Sequence, residues 1–285
     1  MGVALTTARH LVLDLLSTLP HGAMPVRALV AAGELFAIRE NAVRVALARL
    51  LAGGLIERDE RGAYRLGPRA QAVSRQVGSW RDLDARLRPW DGGWIGVHTA
   101  SLRGGARSQL RGQRRALDWL GFRELYAGLA LRPDNLADGV AGVRERLTAL
   151  GLAPQTPVFV LHGLEPAADL AARGLWPVGR LVSGYRRARE ALERSERRLP
   201  ALPEARAMVE SFQLGGQAIR QLVLDPLLPD ELLPSAERAR LLQTMRRYDR
   251  AGRACWARFL ERFGVVRRPT APADLRLPAA MGGRW

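Results

Sequence analysis

The sequence predicts an α+β chain with three parts: an N-terminal helix-turn-helix closed by a short hairpin, a central segment that alternates strands and helices, and a mostly helical last third. Three observations predict it. Residues 41–50 carry apolar side chains at helical spacing on one face and short or basic ones on the other. Between residues 91 and 163, apolar runs of strand length alternate with helix-length amphipathic segments. Beyond residue 164 the period is helical, broken by one proline-rich string. At 285 residues the chain exceeds one typical domain.

Taken in order, Thr6 or Thr7 caps a first helix whose Leu11, Val12, Leu15, Leu16 and Leu19 repeat at helical spacing, and Pro20-His-Gly22 ends it. Pro25 suits the first turn of a second helix through Val26, Leu29 and Val30, which Gly33 weakens near its end. Ile38 plugs the following turn. In the third helix, Val43, Ala46, Leu47 and Leu50 gather on one side. Asn41, Val45 and Ala48 fall on the other, flanked by Arg44 and Arg49. An ordinary solvated helix carries long charged residues across the middle of its outer face; short side chains bordered by arginines suit close approach to base edges. The alternative is a surface helix in which Arg44 pairs with Glu40 one turn earlier. Gly53-Gly54 stops this helix, residues 55–58 read as a strand, and residues 64–66 read as its return partner. Three helices and a hairpin make a winged helix-turn-helix over residues 1–67.

Residues 68–90 form a charged helical connector with Ala72, Val73, Val77, Trp80, Leu83 and Leu87 as its apolar side. The central segment, 91–163, reads as strand (94–99), helix (107–120), strand (122–131), helix (136–150) and strand (157–162), a compact sheet with helices on one face. In the last segment, 164–285, the basic run Arg186, Arg187, Arg189, Arg194, Arg197 and Arg198 is interleaved with Glu190, Glu193 and Glu196, which favours a self-paired solvated face over an anion site. The string Asp225-Pro-Leu-Leu-Pro-Asp-Glu-Leu-Leu-Pro234 cannot be a regular helix. It is expected to be extended and anchored before a helix that starts near Ser235.

Composition narrows function. With 44 basic against 28 acidic residues the formal net charge is +16, which predicts a polyanionic partner, nucleic acid first. Every basic residue is arginine, a bias that base composition alone can produce; the sign of the charge survives that objection. Cys255 stands alone, so an intrachain disulfide and a cysteine zinc site are excluded. The apolar stretch 11–19 is interrupted by Asp14 and too short to span a bilayer, and no cofactor, no membrane partner and a cytoplasmic location are expected. His10, His21, His98 and His162 are scattered, and no nucleophile elbow, Walker loop or dinucleotide fingerprint is present. Gly104-Gly105 and Gly215-Gly216 lack the strand-to-helix context such loops need.

Three separated stretches carry a family resemblance. Val43-Arg-Val-Ala-Leu-Ala-Arg-Leu50 with Gly54-Leu-Ile and Tyr64-Arg-Leu66, then Trp90-Asp-Gly-Gly-Trp94, then the 225–234 string, resemble PaaX-type transcriptional repressors, which control aromatic degradation genes such as those for phenylacetate. Gly121-Phe122 and Arg132-Pro133 match at equivalent places. The resemblance spans about residues 24–263 and implies a ferredoxin-like central domain similar to Cas2 nucleases, DNA binding as a homodimer, and release by an acyl-CoA effector such as phenylacetyl-CoA. Arg39 stands where the family commonly has a capping Ser, and the wing is shorter and less basic. Trp176-Pro-Val178 replaces Trp-Asp-Leu, and the Trp-x-Gly expected after Pro234 is absent. The expected base contacts are Asn41, Arg44, Val45 and Arg49; phosphate contacts are Arg39, Arg61, Tyr64 and Arg65. Trp176, Tyr185 and Phe212 are candidate walls for the effector, against ordinary core packing. The competing classes are an acyl-CoA-handling enzyme, for which only Cys255 and lone histidines are available, and a Cas2-like nuclease, whose metal-binding acid is missing from residues 94–99.

Overall fold

The computed structural model describes residues 6–19, 22–59, 61–102 and 107–265, and the backbone alone at 72, 73, 75, 76, 101, 102 and 107–109. The expected stop at residues 20–21, the apolar residues Ala72 and Val73, Gly104-Gly105 and the final residues 266–285 lie outside that description. The chain is mixed α and β, with two small antiparallel sheets, and it divides into two compact units: residues 1–75 with 256–285, and residues 76–255.

In the first unit, helix α1 (Ala8–Ser17) is capped by Thr7, whose hydroxyl accepts the His10 amide at 3.3 Å. Strand β1 (Met24–Pro25) leads into α2 (Val26–Leu35), and α3 (Glu40–Ala52) follows a tight turn. β2 (Ile56–Arg58) and β3 (Ala63–Leu66) form the hairpin, and the sheet order is β1-β3-β2. Two residues of β1 escape any periodicity argument; they are a strand because Met24 and Pro25 pair with Tyr64 and Ala63. Pro25 is accordingly the N-cap of α2 and not its first turn. Leu11, Leu15, Leu16, Leu29, Val43, Leu47, Leu50 and Ile56 are buried, and each fully buried aliphatic side chain contributes roughly 1.5–3 kcal/mol. The last turns of the final helix, α10 (Ala236–Arg262), also belong to this unit, where Trp256, Phe259 and Leu260 are buried and Arg27 lies over the Phe263 ring. Residues 256–265 thus group with the N-terminal helices rather than with residues 164–255.

In the second unit, α4 (Pro68–Gly78), which begins in the first, gives way to two short 3-10 turns, so the connector is not one helix; Trp80 and Leu83 enter the core. The central segment runs β4 (Trp94–His98), α5 (Arg107–Trp119), β5 (Arg123–Tyr126), β6 (Leu129–Pro133), α6 (Gly139–Ala149), β7 (Val158–Leu161), with sheet order β5-β6-β4-β7 and every pairing antiparallel. The single strand expected over 122–131 is two, folded back at Gly128, whose φ of 92° only glycine adopts readily. Both faces of the sheet are buried, Ile95 and Val97 on one and Trp94 and Leu131 on the other. The second face is covered because Trp94 stacks on Trp176 (centroids 6.1 Å apart) and donates to Asp169 in α7 (Pro166–Arg173). This corrects the one-sided sheet. Helices α8 (Val178–Arg198) and α9 (Glu204–Val223) lead to the proline-rich segment, which is extended and anchored as expected: Asp225 to Pro229 and Leu233 are buried.

Gly33 does more than weaken α2. A Cβ there would stand 2.7 Å from Val43 Cγ2, so the missing side chain lets α2 approach α3. Gly33→Ala is expected to lower stability by about 1–3 kcal/mol through overpacking, read as a lower urea midpoint at unchanged m-value. In the second unit, the Asp230 carboxylate accepts the Ser235 amide at 2.8 Å just before α10, and the Ser235 hydroxyl first and this amide second hold its pKa below the usual value. A depressed carboxylate stabilises the fold above its unfolded pKa and loses that contribution as pH falls through the folded pKa. Asp230→Ala should therefore cost about 1 kcal/mol at pH 7, a difference that disappears in strong acid in paired denaturation curves.

Candidate nucleic-acid interface

The third helix earns its two faces from the packing beneath it. Val43, Ala46, Leu47 and Leu50 are buried, while Asn41, Ala42, Arg44, Val45, Ala48 and Arg49 are exposed, as the period requires. Arg39 is the N-cap and makes no side-chain capping bond; Glu40 in the first turn supplies the favourable charge near the N-terminus instead. The turn before it places Ala37 at φ 56°, and the Ile38 amide donates to Gly33 O at 2.9 Å, with Ile38 half-buried as the expected plug.

Electrostatics sort the arginines. Arg44 is bound to Glu40, with Nη2 to Oε1 at 2.6 Å and Nε to Oε1 at 2.7 Å, both side chains more than half exposed. Arg65 on β3 pairs with Glu57 on β2 at 3.0 Å. Arg39, Arg49 and Arg61 are exposed and meet no carboxylate among the described residues. The Arg61 amide is held by Asp59, which also accepts from Ala63, so the tip of the hairpin is a closed turn. Tyr64 is half-buried opposite Met24 and Arg58 in the register. The outer face of α3 thus presents Asn41, Val45 and Ala48 with Arg49 free at one edge and Arg44 engaged at the other. Exposed pairs of this kind are worth about 0–1 kcal/mol, so Arg44 can exchange Glu40 for another acceptor at small cost.

The three effector candidates differ in burial, with Trp176 and Tyr185 buried and Phe212 half-buried. Trp176 is buried, donates to Gly121 O at 3.0 Å and stacks on Trp94. Tyr185 is buried beside Asp225 and Arg238; burial first, then the Asp225 charge, raises its phenol well above the usual range. Phe212 is half-buried on α9.

A small polar cavity lies elsewhere in the second unit, lined in part by Arg86, Trp119, Arg132 and Asp225, with room for roughly one water. Arg132 is fully buried; desolvation and then the neighbouring Arg146 and Arg86 push it down to about 9, still charged at neutral pH. Its guanidinium is satisfied by Pro133 O, Leu120 O and Asn135 Oδ1. Trp119 Nε1 and Asp225 Oδ2 face no protein partner. Sequence reasoning singled out Arg132 and Asp225 only as parts of longer matches, and nothing local signals their burial. Among the described residues no three His, Cys, Asp or Glu side chains stand close enough to share a metal ion, and no helix is long and apolar enough to cross a membrane.

If the outer face of α3 meets DNA, Glu40→Gln should free Arg44 and remove a repelling charge. Affinity for any duplex is expected to rise up to about fivefold at low salt, converging with wild type as salt increases in fluorescence anisotropy.

No family model and no curated protein matches the chain. Among solved structures it is similar to an uncharacterized protein, Rv0674 from Mycobacterium tuberculosis, with 26% sequence identity and a TM-score of 0.56, over 88% of this chain and 99% of that one.

Proposed function

We propose that the protein is a DNA-binding transcriptional repressor of the PaaX type rather than an enzyme. The observation that carries the reading is the outer face of α3, where short side chains between Arg44 and Arg49 lie opposite a fully buried apolar stripe. An ordinary surface helix has no reason to keep long side chains off its middle; a helix that enters a major groove does. The order of three helices and a hairpin supports reading the first unit as a winged helix. The β-α-β-β-α-β order, with a sheet of order β5-β6-β4-β7, supports a ferredoxin-like central domain. The net charge of +16 fits a polyanionic partner.

In this reading Asn41, Arg44, Val45 and Arg49 meet base edges, and Arg39, Arg61, Tyr64 and Arg65 meet phosphate. A second copy completes the operator contact, since one helix touches too few base pairs for operator-level affinity. The effector is an acyl-CoA of an aromatic acid, a part of the reading that rests on the family resemblance. Because Trp176 and Tyr185 are buried, an acyl pocket that uses them requires α7 or α8 to shift, and such coupling is what release demands: a hundredfold loss of DNA affinity needs about 2.7 kcal/mol of preference for the DNA-incompetent form.

The test is a mobility shift on the promoter region of the protein's own gene, repeated with phenylacetyl-CoA, free CoA and free phenylacetate at fixed ionic strength. Arg49→Ala is expected to cost about 1–3 kcal/mol of specific binding, and release is expected with the thioester alone. Wild-type affinity in Arg49→Ala overturns the assigned face, and equal release by free CoA reduces the effector effect to competition between polyanions.

A further inference from the structure

Outside the first unit about half of the described arginines meet a carboxylate. On α8, Arg189 meets Glu193 at 3.0 Å, Arg194 meets Glu190 at 3.9 Å, Arg186 meets Glu237 at 3.8 Å and Arg198 meets Glu210 at 2.8 Å. Helix α5 is built differently. Residues 92–117 contain five arginines and no aspartate or glutamate. Asp118, the acid of α5, is taken by Arg123 at 3.1 Å. Arg111, Arg114 and Arg115 stand at i, i+3 and i+4, so they share one face, opposite the buried Gln113, Ala116 and Leu117. All three are exposed, and none meets a carboxylate among the described residues. Like charges at this spacing destabilise a helix by a few tenths of a kcal/mol per pair, a cost with no compensation inside the fold. Gly112, beside the stripe, has nothing within 4 Å of where a Cβ would be; a helix-interior glycine without a packing reason leaves the backbone open to close approach.

We propose that Arg111, Arg114 and Arg115 form a second DNA contact, a sequence-independent strip that grips the phosphate backbone of duplex DNA. The proposal rests on the DNA-binding reading of α3 and adds a separate surface to it. From Arg111 to Arg115 the helix rises roughly 6 Å, comparable to the axial rise of two base pairs at about 3.4 Å each. A lipid surface fits poorly, because the apolar residues of α5 face the core and leave none to insert. Single-stranded nucleic acid fits poorly too, since the described face carries no exposed aromatic ring on which a base could stack.

The test uses the full-length protein and the triple variant Arg111→Gln/Arg114→Gln/Arg115→Gln, with Arg49→Ala alongside, binding operator and random duplexes of equal length across a salt series. Three lost phosphate contacts reduce the slope of log affinity against log salt by up to about 2.7 units. The expected result is that reduction for both duplexes, with the operator-to-random ratio unchanged, and recovery in the triple Arg→Lys variant, which keeps the charge. A wild-type slope in the triple Gln variant overturns the proposal; if Arg49→Ala still loses the operator preference, the reading of α3 stands without it. If wild type shows no operator preference at all, that reading fails, and a slope reduction on random duplex still supports the strip. A larger loss on single-stranded RNA or on phosphatidylserine vesicles than on duplex DNA overturns the choice of partner.

Discussion

The second unit depends on how one buried cation is satisfied. Arg132 reaches into the interior from β6 with no carboxylate in contact, and the cost of burying it is met by neutral acceptors: the carbonyl at the end of α5, its own neighbour's carbonyl, and the Asn135 amide oxygen. Asn135 then donates to Leu227 O at 2.7 Å, which fixes the proline-rich segment against the sheet. Gly121, adjoining the first acceptor, takes the Trp176 indole on its carbonyl and lies so close to Pro226 that a Cβ would stand 2.7 Å from the proline Cα. One hydrogen-bonded chain thus joins α5, β6 and the 225–234 segment, with the aromatic stack reached through Trp176. A buried charge held by neutral groups tolerates no partial arrangement, because any acceptor that moves leaves a donor unsatisfied in low dielectric.

That constraint explains why the central sheet and the C-terminal helices share one core. The sequence reading separated the central and C-terminal segments and placed the proline-rich string, extended and anchored, inside the latter. The string is a strap pressed into the core by Leu227, Leu228 and Leu233, with Arg238 donating to Leu228 O from the helix that follows. The tightness of this packing also bears on ligand sensing. A site lined by buried aromatics responds to a ligand only by changing its packing, and a packed core changes between discrete arrangements rather than by continuous deformation.

Charge is distributed unevenly over the helices. Where an arginine meets a glutamate one turn away, as Arg189 meets Glu193 on α8, the pair contributes little to long-range attraction. On α3, Arg49 stays free while Arg44 is held in reserve by Glu40. On α5 the trio meets no carboxylate among the described residues. An excess of positive charge concentrated on unpaired faces creates a field that reaches about a Debye length into solution, roughly 8–10 Å, which paired faces of the same composition cannot do.

Much of this was legible in the sequence. The faces of α3, the Thr7 cap, the hairpin and the extended 225–234 string follow from periodicity, capping chemistry and proline geometry, which act within a few residues and so appear in a local reading. Four features did not. Strand β1 exists only because β3 offers it partners; the fold-back at Gly128 was hidden inside an apolar run that reads as one strand. Arg132 and Asp225 look like surface charges until distant residues enclose them, and the aromatic side of α10 gave no hint of which unit it would join. The Arg44–Glu40 pair was readable from its one-turn spacing, whereas the pairing of Arg65 with Glu57 across the hairpin was not. The sequence by itself determined most of the elements and the sidedness of α3, because those depend on neighbours along the chain. Tertiary structure alone decided burial, pairing and the joining of segments, because those depend on partners tens to more than a hundred residues away, whose approach no local pattern records.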